Sequence, residues 1–341
     1  MKDNIFSWEN GILEYLNPKN IITPLVELPK VLNPFANEKV RIFAKLLNTL
    51  PLTNLKSIPA FNMLDKSNLK DKHTIIENSS GNTVLSLAVI WKLLGVDTTK
   101  AFVSNSISTW KLKLLQLFWV HLIINKEPID PDPKDKTRWI YKAQELWKQD
   151  WWINPWQYEN EENCNAHYIV TWSQIYQQMK WDIQILCAWL WTTGTVSWTS
   201  KYLKEKIKNM YTLWVMRKDN NPISWTRTKT LLKEVAFDWS KYVDKTIEIW
   251  TKESYAESLH LIRNGIVVWP SSGFALIWLK RFLEEKKQEN TLDSFKNKKW
   301  EINIVFICCD SPFPYIDEYF SYLDKTDFPT IENEELLVNK K

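Results

Sequence analysis

From residue 73 onward, short apolar segments rich in β-branched residues alternate with segments whose apolar residues recur at helical spacing. The segments 73–77, 100–104 and 120–124 are typical of strands, and 81–94 and 111–118 are typical of helices. Strands separated by helices of this length imply parallel βαβ units with right-handed crossovers. The alternation therefore predicts an α/β fold in which mostly parallel sheets are flanked by helices.

The same two patterns continue on both sides of this region. Further strands are predicted at 23–28, 40–45, 183–190, 246–250, 265–268 and 302–310. Further helices are predicted at 55–64, 140–148, 167–179, 253–264 and, after a turn, within 269–288. The polar segment 157–165 is interpreted as a turn, and the chain from residue 216 to about 232 as irregular.

Composition limits the class of protein. With 45% hydrophobic and 25% charged residues over 341 positions, the chain resembles a soluble globular protein. A formal charge of +4 gives no reason to expect nucleic acid or an anionic membrane as a partner. The four cysteines lack metal-ligand spacing, and no apolar run approaches about 20 residues. We expect a cytoplasmic protein with reduced, buried thiols and no metal.

Four turns that lead into predicted helices carry side chains suited to ligand binding. They contain Lys56, the sequence SSGNT at 79–83, the Thr-rich loop at 191–195, and the sequence SSG at 271–273. In open parallel sheets such turns meet at the carboxyl ends of the strands, so they could converge on one ligand. Each turn also has a plainer interpretation, because serine and threonine commonly cap helices and a lone lysine is usually solvated.

The loop at 191–195 has the outline of an anion site, since it links an apolar strand to a helix N-terminus. Trp189, Trp191 and Trp198 stand where small residues would let the backbone close around a phosphate. The chain has 21 tryptophans and 6 glycines, whereas average usage of about 7% predicts roughly 24 glycines. Tryptophan and glycine together number 27. We hypothesise that most of these tryptophans are glycines in the natural protein, encoded by UGA.

With glycine at the doubtful positions, 188–204 becomes AGLGTTGTVSGTSKYLK and 269–273 becomes GPSSG. Together with SSGNT and PLTNLKSIPA, these segments resemble the fold-type-II pyridoxal-phosphate enzymes, in particular the cysteine synthase and cystathionine β-synthase group. The resemblance implies a catalytic unit at 20–322 in two lobes, followed by a charged tail at 323–341. The smaller lobe would span about 42–155, and the larger about 20–41 plus 156–322.

The resemblance also implies a role for each matching residue. Lys56 would hold pyridoxal 5'-phosphate covalently and move the substrate's α-proton. The cofactor would further be bound by Asn82, by Ser271 at its pyridine nitrogen, and at its phosphate by Trp191, Thr192, Thr193, Gly194 and Thr195. The substrate carboxylate would be bound by Ser79, Ser80, Gly81, Thr83 and Gln157.

The implied reaction is β-replacement on serine or an O-activated serine through an aminoacrylate, with sulfide or a thiol as the second substrate and cysteine as the product. A homodimer is implied as well. Cystathionine synthesis, diaminopropionate synthesis and serine or threonine dehydration stay open. Ser57, Ile58 and Val84 depart from the family pattern beside the reactive centre, so a non-catalytic α/β binding protein with a degraded site is the alternative from another class.

Overall fold

The structure is a computed structural model. It describes residues 5–65, 69, 71–79, 81–105, 107–125, 145–146, 148, 150–157, 160–189, 200, 203–217 and 243–337. Within these residues, no helix is long and apolar enough to cross a membrane. The same residues contain no cluster of His, Cys, Asp and Glu side chains that could hold a metal ion.

The described strands form two sheets. The strands are β1 (Leu25–Glu27), β2 (Val40–Leu46), β3 (Thr74–Asn78), β4 (Thr98–Ser104), β5 (Val120–Asn125), β6 (Trp152–Ile153), β7 (Ile185–Trp189), β8 (Tyr211–Arg217), β9 (Lys245–Ile249) and β10 (Ile302–Cys308). A six-stranded sheet has the order β1-β2-β10-β7-β8-β9, and a four-stranded sheet has the order β5-β4-β3-β6. Only β1 pairs antiparallel among these described strands, so the α/β prediction with mostly parallel sheets is confirmed.

Helices cover the sheets. The described α-helices are α1 (Gly11–Leu16), α2 (Ser57–Asp65), α3 (Asn82–Leu93), α4 (Thr109–Leu117), α5 (Glu161–His167), α6 (Ser173–Gln178), α7 (Thr251–Arg263), α8 (Pro270–Gln288) and α9 (Ile316–Tyr322). A π-helical turn at Tyr168–Trp172 joins α5 to α6. The predicted helix at 140–148 lies almost entirely outside the described residues.

The larger sheet forms the middle layer of a helix-sheet-helix sandwich. All seven residues of β10 are buried. Side chains of α8 pack on one face of the sheet, and side chains from α2, α5 and α6 pack on the other. Gly273 lets α8 approach α7 closely, because a Cβ atom there would collide with the backbone of Ser254 and Ser258. Parallel strands buried on both faces place their carboxyl ends together; the loop that carries Lys56 lies at the carboxyl end of β10, and Ser79 follows β3 of the smaller sheet.

Three local predictions are wrong. Residues 161–165 belong to α5 rather than to a turn, because Asn160 caps the helix by accepting from the Glu162 N–H. Residues 216–217 end strand β8, whose backbone pairs with both β7 and β9. Segment 265–268 is not a strand; its carbonyl at Val268 is taken by the Ser258 hydroxyl instead of a neighbouring strand.

Candidate active site

The loop that carries Lys56 is fastened across the carboxyl end of β10. The Leu55 N–H donates to the Cys309 carbonyl at 2.8 Å, and the Ser311 N–H donates to the Thr53 carbonyl at 3.1 Å. Lys56 directly precedes α2, whereas the sequence predicts it inside the first helical turn. These backbone bonds fix the lysine at the edge of the larger sheet where ligands bind in parallel α/β folds.

Asn54 connects this loop to two helices. Its Oδ1 accepts from the Ser57 N–H at 3.1 Å, which satisfies one of the first N–H groups of α2. The same oxygen accepts from the Ser86 hydroxyl of α3 at 3.2 Å. Asn54 and Ser57 depart from the family pattern, yet both have a clear structural role in holding Lys56 in its position.

Burial lowers the pKa of the Lys56 amine. The side chain is 8% exposed, and desolvation lowers its pKa from 10.5 to about 8. The charges of Asp310 and Glu77 raise the pKa and offset part of that effect. A lysine with a pKa near 8 has a substantial neutral fraction at physiological pH, which a nucleophilic or proton-transferring amine needs.

Asp310 is a site residue that the sequence interpretation missed. Its backbone carbonyl accepts from the Trp269 N–H at 3.0 Å, and its Oδ1 accepts from the Leu55 N–H at 3.3 Å. Its carboxylate also accepts a hydrogen bond from Asn82. Burial raises its pKa to about 6. Asp310 thus joins the Lys56 loop, the start of α3 and the segment before α8. In the sequence, its position after a buried strand is the feature that could have identified it as a site residue.

Ser271 lies in the first turn of α8, which begins at Pro270. Its hydroxyl is fully buried and has no hydrogen-bond partner among the described residues. A buried hydroxyl of this kind usually has a partner, so the geometry suits a bound ligand atom. Trp269 is fully buried beside it, and its indole packs on the ring of Tyr315 with centroids 4.6 Å apart.

The predicted carboxylate-binding residues surround the turn between β3 and α3. The Thr83 hydroxyl donates to Gln157 Oε1 at 3.0 Å, and the Ser79 hydroxyl accepts from the Gly81 N–H at 3.4 Å. Asn82 Nδ2 donates to the Tyr315 hydroxyl at 3.4 Å. The structure therefore brings the start of α3 against the C-terminal part of the chain. The sequence analysis did not predict Tyr315 as a site residue.

Six predicted residues lie outside the described part of the chain: Ser80, Trp191, Thr192, Thr193, Gly194 and Thr195. The strand that leads to the predicted phosphate loop is described up to Trp189. Its indole N–H donates to Cys309 Sγ at 3.0 Å. Since the Cys309 carbonyl accepts from the Leu55 N–H, the end of β7 lies beside the loop that carries Lys56.

Comparison with known proteins shows the family of this chain. Residues 16–293 match the model of the pyridoxal-phosphate dependent enzymes, and the chain belongs to that family. It is 29% identical over 283 residues to the cysteine synthase of Aquifex aeolicus, covering 79% of this chain and 84% of that one.

Two solved structures share the fold. A hydrogen sulfide-producing enzyme from Fusobacterium nucleatum has a TM-score of 0.72 at 21% identity, covering 88% of this chain and 97% of that chain. An O-acetylserine dependent cystathionine β-synthase from Helicobacter pylori has a TM-score of 0.70 at 21% identity, with the same two coverages. The predicted family and its fold-type-II architecture are thereby confirmed.

The described residues fit pyridoxal phosphate, the cofactor of this family. A buried amine with a lowered pKa can form a covalent bond to the cofactor's aldehyde. The buried Ser271 hydroxyl is free to pair with a ring nitrogen, as far as the described residues extend. The predicted phosphate-binding residues at 191–195 are outside the described chain, so their contribution stays a prediction.

Proposed function

We propose that this enzyme performs β-replacement on serine or an O-activated serine, with sulfide as the nucleophile and cysteine as the product. The observation that carries the proposal is the buried, partly neutral Lys56 held beside Asp310, Asn82 and the start of α8. The similarity to a cysteine synthase along most of both chains supports the same reaction.

Lys56, Asn82 and Ser271 would hold the cofactor, together with the predicted phosphate-binding segment 191–195. When bound, pyridoxal phosphate supplies an electron-withdrawing ring that acidifies the α-carbon of an amino acid. Ser271 offers the ring a neutral hydroxyl rather than a carboxylate. A neutral partner withdraws less electron density and favours loss of a β-substituent over more extensive carbanion chemistry.

Lys56 would also act as the general base and acid at the substrate α-carbon. A group of this kind works best when its pKa lies near the working pH. Burial brings the lysine into that range, and the carboxyl groups of Asp310 and Glu77 prevent a larger decrease in its pKa. The loop bonds to Cys309 and Ser311 hold the amine at a fixed place while the proton moves.

Ser79, Gly81, Thr83 and Gln157, with Ser80, would bind the substrate carboxylate. Their hydroxyl, amide and backbone N–H groups at a helix start match a carboxylate in charge and hydrogen-bonding geometry. Asn82 would lie between this group and the cofactor, since it contacts both Asp310 and Tyr315.

The surrounding organisation is part of the proposal. The catalytic unit at 20–322 would have a smaller lobe around the four-stranded sheet and a larger lobe around the six-stranded sheet. The enzyme would work in the cytoplasm as a homodimer. Cystathionine synthesis is the second candidate, supported by the fold shared with an O-acetylserine dependent cystathionine β-synthase.

The test uses the purified protein reconstituted with pyridoxal phosphate. O-acetylserine, O-phosphoserine and serine are each supplied with sulfide or with homocysteine, and the amino-acid products are separated and quantified. Cysteine formed from an O-activated serine and sulfide is the expected result. Cystathionine as the main product would favour the second candidate, and cofactor binding without any β-replacement would reject both.

A further inference from the structure

Glu77 forms a buried chain of hydrogen bonds with two predicted substrate-binding residues. It lies on β3, where all five side chains are buried. Glu77 Oε1 accepts from Gln157 Nε2 at 3.1 Å, and Gln157 Oε1 accepts from the Thr83 hydroxyl at 3.0 Å. The Gln157 backbone carbonyl accepts from Asn163 Nδ2 at 2.6 Å. Both ends of the glutamine amide therefore have a fixed partner.

Burial raises the pKa of Glu77 to about 7, so above that pH the ionised carboxylate dominates. The ionised form only accepts hydrogen bonds, and it therefore determines which end of the Gln157 amide faces it. The Nε2 group has two N–H bonds, and Glu77 takes one of them. The second N–H is left for another acceptor, such as a substrate carboxylate. Thr83 uses its only O–H on Gln157, which makes the remaining glutamine N–H the more useful donor for a carboxylate.

We propose that Glu77 is a positioning residue that orients the Gln157 amide for the substrate carboxylate. The inference rests on the proposed function, because that function assigns Gln157 to the carboxylate. A glutamine at position 77 would retain nearly the same volume but could pair with either face of the Gln157 amide, so the orientation would no longer be selected.

The test measures the affinity of the reconstituted protein for L-serine by calorimetry, together with KM and kcat for the best substrate. We expect Glu77→Gln to weaken L-serine binding and raise KM about tenfold, with a smaller decrease in kcat because Glu77 also helps to keep the pKa of Lys56 from falling further. The variant should bind pyridoxal phosphate like the wild type. Glu77→Asp keeps an acceptor-only group and should recover part of the lost affinity.

A double variant separates this role from a direct effect on Lys56. If Glu77 acts through Gln157, then Glu77→Gln combined with Gln157→Ala binds L-serine no more weakly than Gln157→Ala alone. Additive losses, or an unchanged affinity in Glu77→Gln, would overturn the inference while the proposed function stands. A wild-type protein that binds no amino acid would reject both.

A separate observation concerns the tryptophans. Five of them have a backbone φ between 53° and 71°, in the left-handed region: Trp8, Trp119, Trp156, Trp181 and Trp300. Bulky side chains are rare in this region, which glycine adopts without steric cost. The tryptophan excess in the composition and the backbone conformation therefore point to the same residues.

Helix ends provide a direct comparison. Gly95 follows α3 with φ +86° and donates its N–H to the Lys92 carbonyl, and Gly265 follows α7 with φ +90°. Trp119 follows α4 with φ +62° and donates to the Gln116 carbonyl at 3.0 Å in the same way. A left-handed residue just after a helix is the usual place for glycine.

Four of these tryptophan side chains bury little surface and so contribute little to the stability of the fold. Trp8, Trp119, Trp181 and Trp300 are each between 62% and 96% exposed. Of five fully buried tryptophans in the described part of the chain, only Trp214 donates its indole N–H to a protein group, the Ser200 hydroxyl. Among the described residues, no acceptor reaches the indole N–H of Trp91, Trp172, Trp269 or Trp278. A buried tryptophan N–H usually has a partner.

We infer that the protein made in its own cells carries glycine at these five left-handed positions, inserted at UGA codons. The same decoding would supply small residues at Trp189, Trp191 and Trp198, around the predicted phosphate segment. A codon is read in the same way throughout the message. Any other tryptophan encoded by UGA would therefore also be glycine.

The direct test is the mass of the protein purified from its native cells, followed by peptide mapping. Peptides containing positions 119, 181 and 300 should each be lighter by the difference between a tryptophan and a glycine residue. Tryptophan in these peptides, or UGG codons at these positions, would overturn the inference.

Two recombinant variants, one inside α4 and one just after it, test whether the left-handed backbone at Trp119 destabilises the protein. Trp119→Gly should raise the Tm by about 1–2 °C, because it relieves the left-handed backbone. The control Trp110→Gly changes another exposed tryptophan inside α4 and should lower the Tm by a similar amount, because glycine weakens a helix. An equal decrease in both variants would contradict the conformational argument.

Discussion

Lys45 and Lys56 are both buried lysines near the larger sheet, yet their surroundings differ. Lys45 lies on β2, and its Nζ donates to the Thr23 carbonyl at 2.8 Å, to Gln174 Oε1 at 3.0 Å and to Gln178 Oε1 at 2.8 Å. These three neutral oxygens use all three N–H bonds of its ammonium group. Lys56 lies in a loop at the carboxyl ends of the strands and faces the carboxyl groups of other elements.

Burial lowers the pKa of both side chains, to about 7 for Lys45 and about 8 for Lys56. A lowered pKa therefore does not by itself identify the reactive lysine. The difference lies in the partners: Lys45 donates to three neutral oxygens and fastens strand β2 to α6, whereas Lys56 lies near the carboxyl groups of Asp310 and Glu77. Only Lys56 lies at the edge of the sheet where ligands bind in parallel α/β folds, and this position identifies it rather than Lys45 as the reactive lysine.

The largest expected effect comes from removing the Lys56 amine. Lys56→Ala should decrease the β-replacement rate by at least about 10³-fold, because the group proposed to bind the cofactor and move the α-proton is lost. Steady-state kinetics with saturating pyridoxal phosphate measures this. A Lys56→Ala variant with more than a tenth of the wild-type rate would contradict the assignment.

Lys45→Met should affect stability instead of chemistry. The substitution removes one hydrogen-bond donor from each of three oxygens, the Thr23 carbonyl, Gln174 Oε1 and Gln178 Oε1, around a buried side chain. We expect a loss of about 2–4 kcal/mol in the free energy of unfolding, measured by urea titration. The folded variant should retain its kcat; a decrease in kcat comparable to that of Lys56→Ala would remove the distinction between the two lysines.

The pKa of Lys56 should determine how fast the apoprotein captures pyridoxal phosphate. Only the neutral amine attacks the aldehyde, so the capture rate should rise with a midpoint near pH 8 rather than near 10.5. Asp310→Asn removes a charge that raises this pKa and should shift the midpoint downward. Stopped-flow absorbance across pH 6–10 measures both proteins, and an upward shift would contradict the electrostatic account.

The smallest expected effect belongs to a single partner of Lys45. Gln178→Ala removes one of its three acceptors and also the hydrogen bond from Gln178 Nε2 to the Thr23 carbonyl. The free energy of unfolding should fall by about 1 kcal/mol, with the activity unchanged. A larger loss than in Lys45→Met would show that Gln178 stabilises the protein through other contacts.

Much of the fold could be predicted because strands and helices alternate with distinct spacing. The predictions of β3, α3, β4, α4 and β5 follow from that alternation and are confirmed. Strand β8 was missed although its sequence, YTLWVMR, is apolar and β-prone. The segment 265–268 has an equally strong strand pattern but finds no partner strand, which is a tertiary property that a local pattern does not contain.

The site could be predicted only as separate motifs. Lys56, Asn82 and Ser271 stand out locally because each lies at a turn into a helix. Asp310 and Tyr315 lie far along the chain. Asp310 follows a buried strand, but no local pattern shows that either residue reaches the Lys56 loop or the start of α3. Their importance follows from the packing of residues 309–315 against the Lys56 loop and the start of α3. That packing joins segments more than 200 residues apart.

The most direct test of the central claim is reduction of the cofactor-loaded protein with borohydride, followed by digestion and mass spectrometry. Reduction makes a covalent bond between pyridoxal phosphate and its lysine permanent. The account predicts the label on Lys56 and none on Lys45, with loss of the label in Lys56→Ala. A label on Lys45 or another lysine, with Lys56 unmodified, would contradict it.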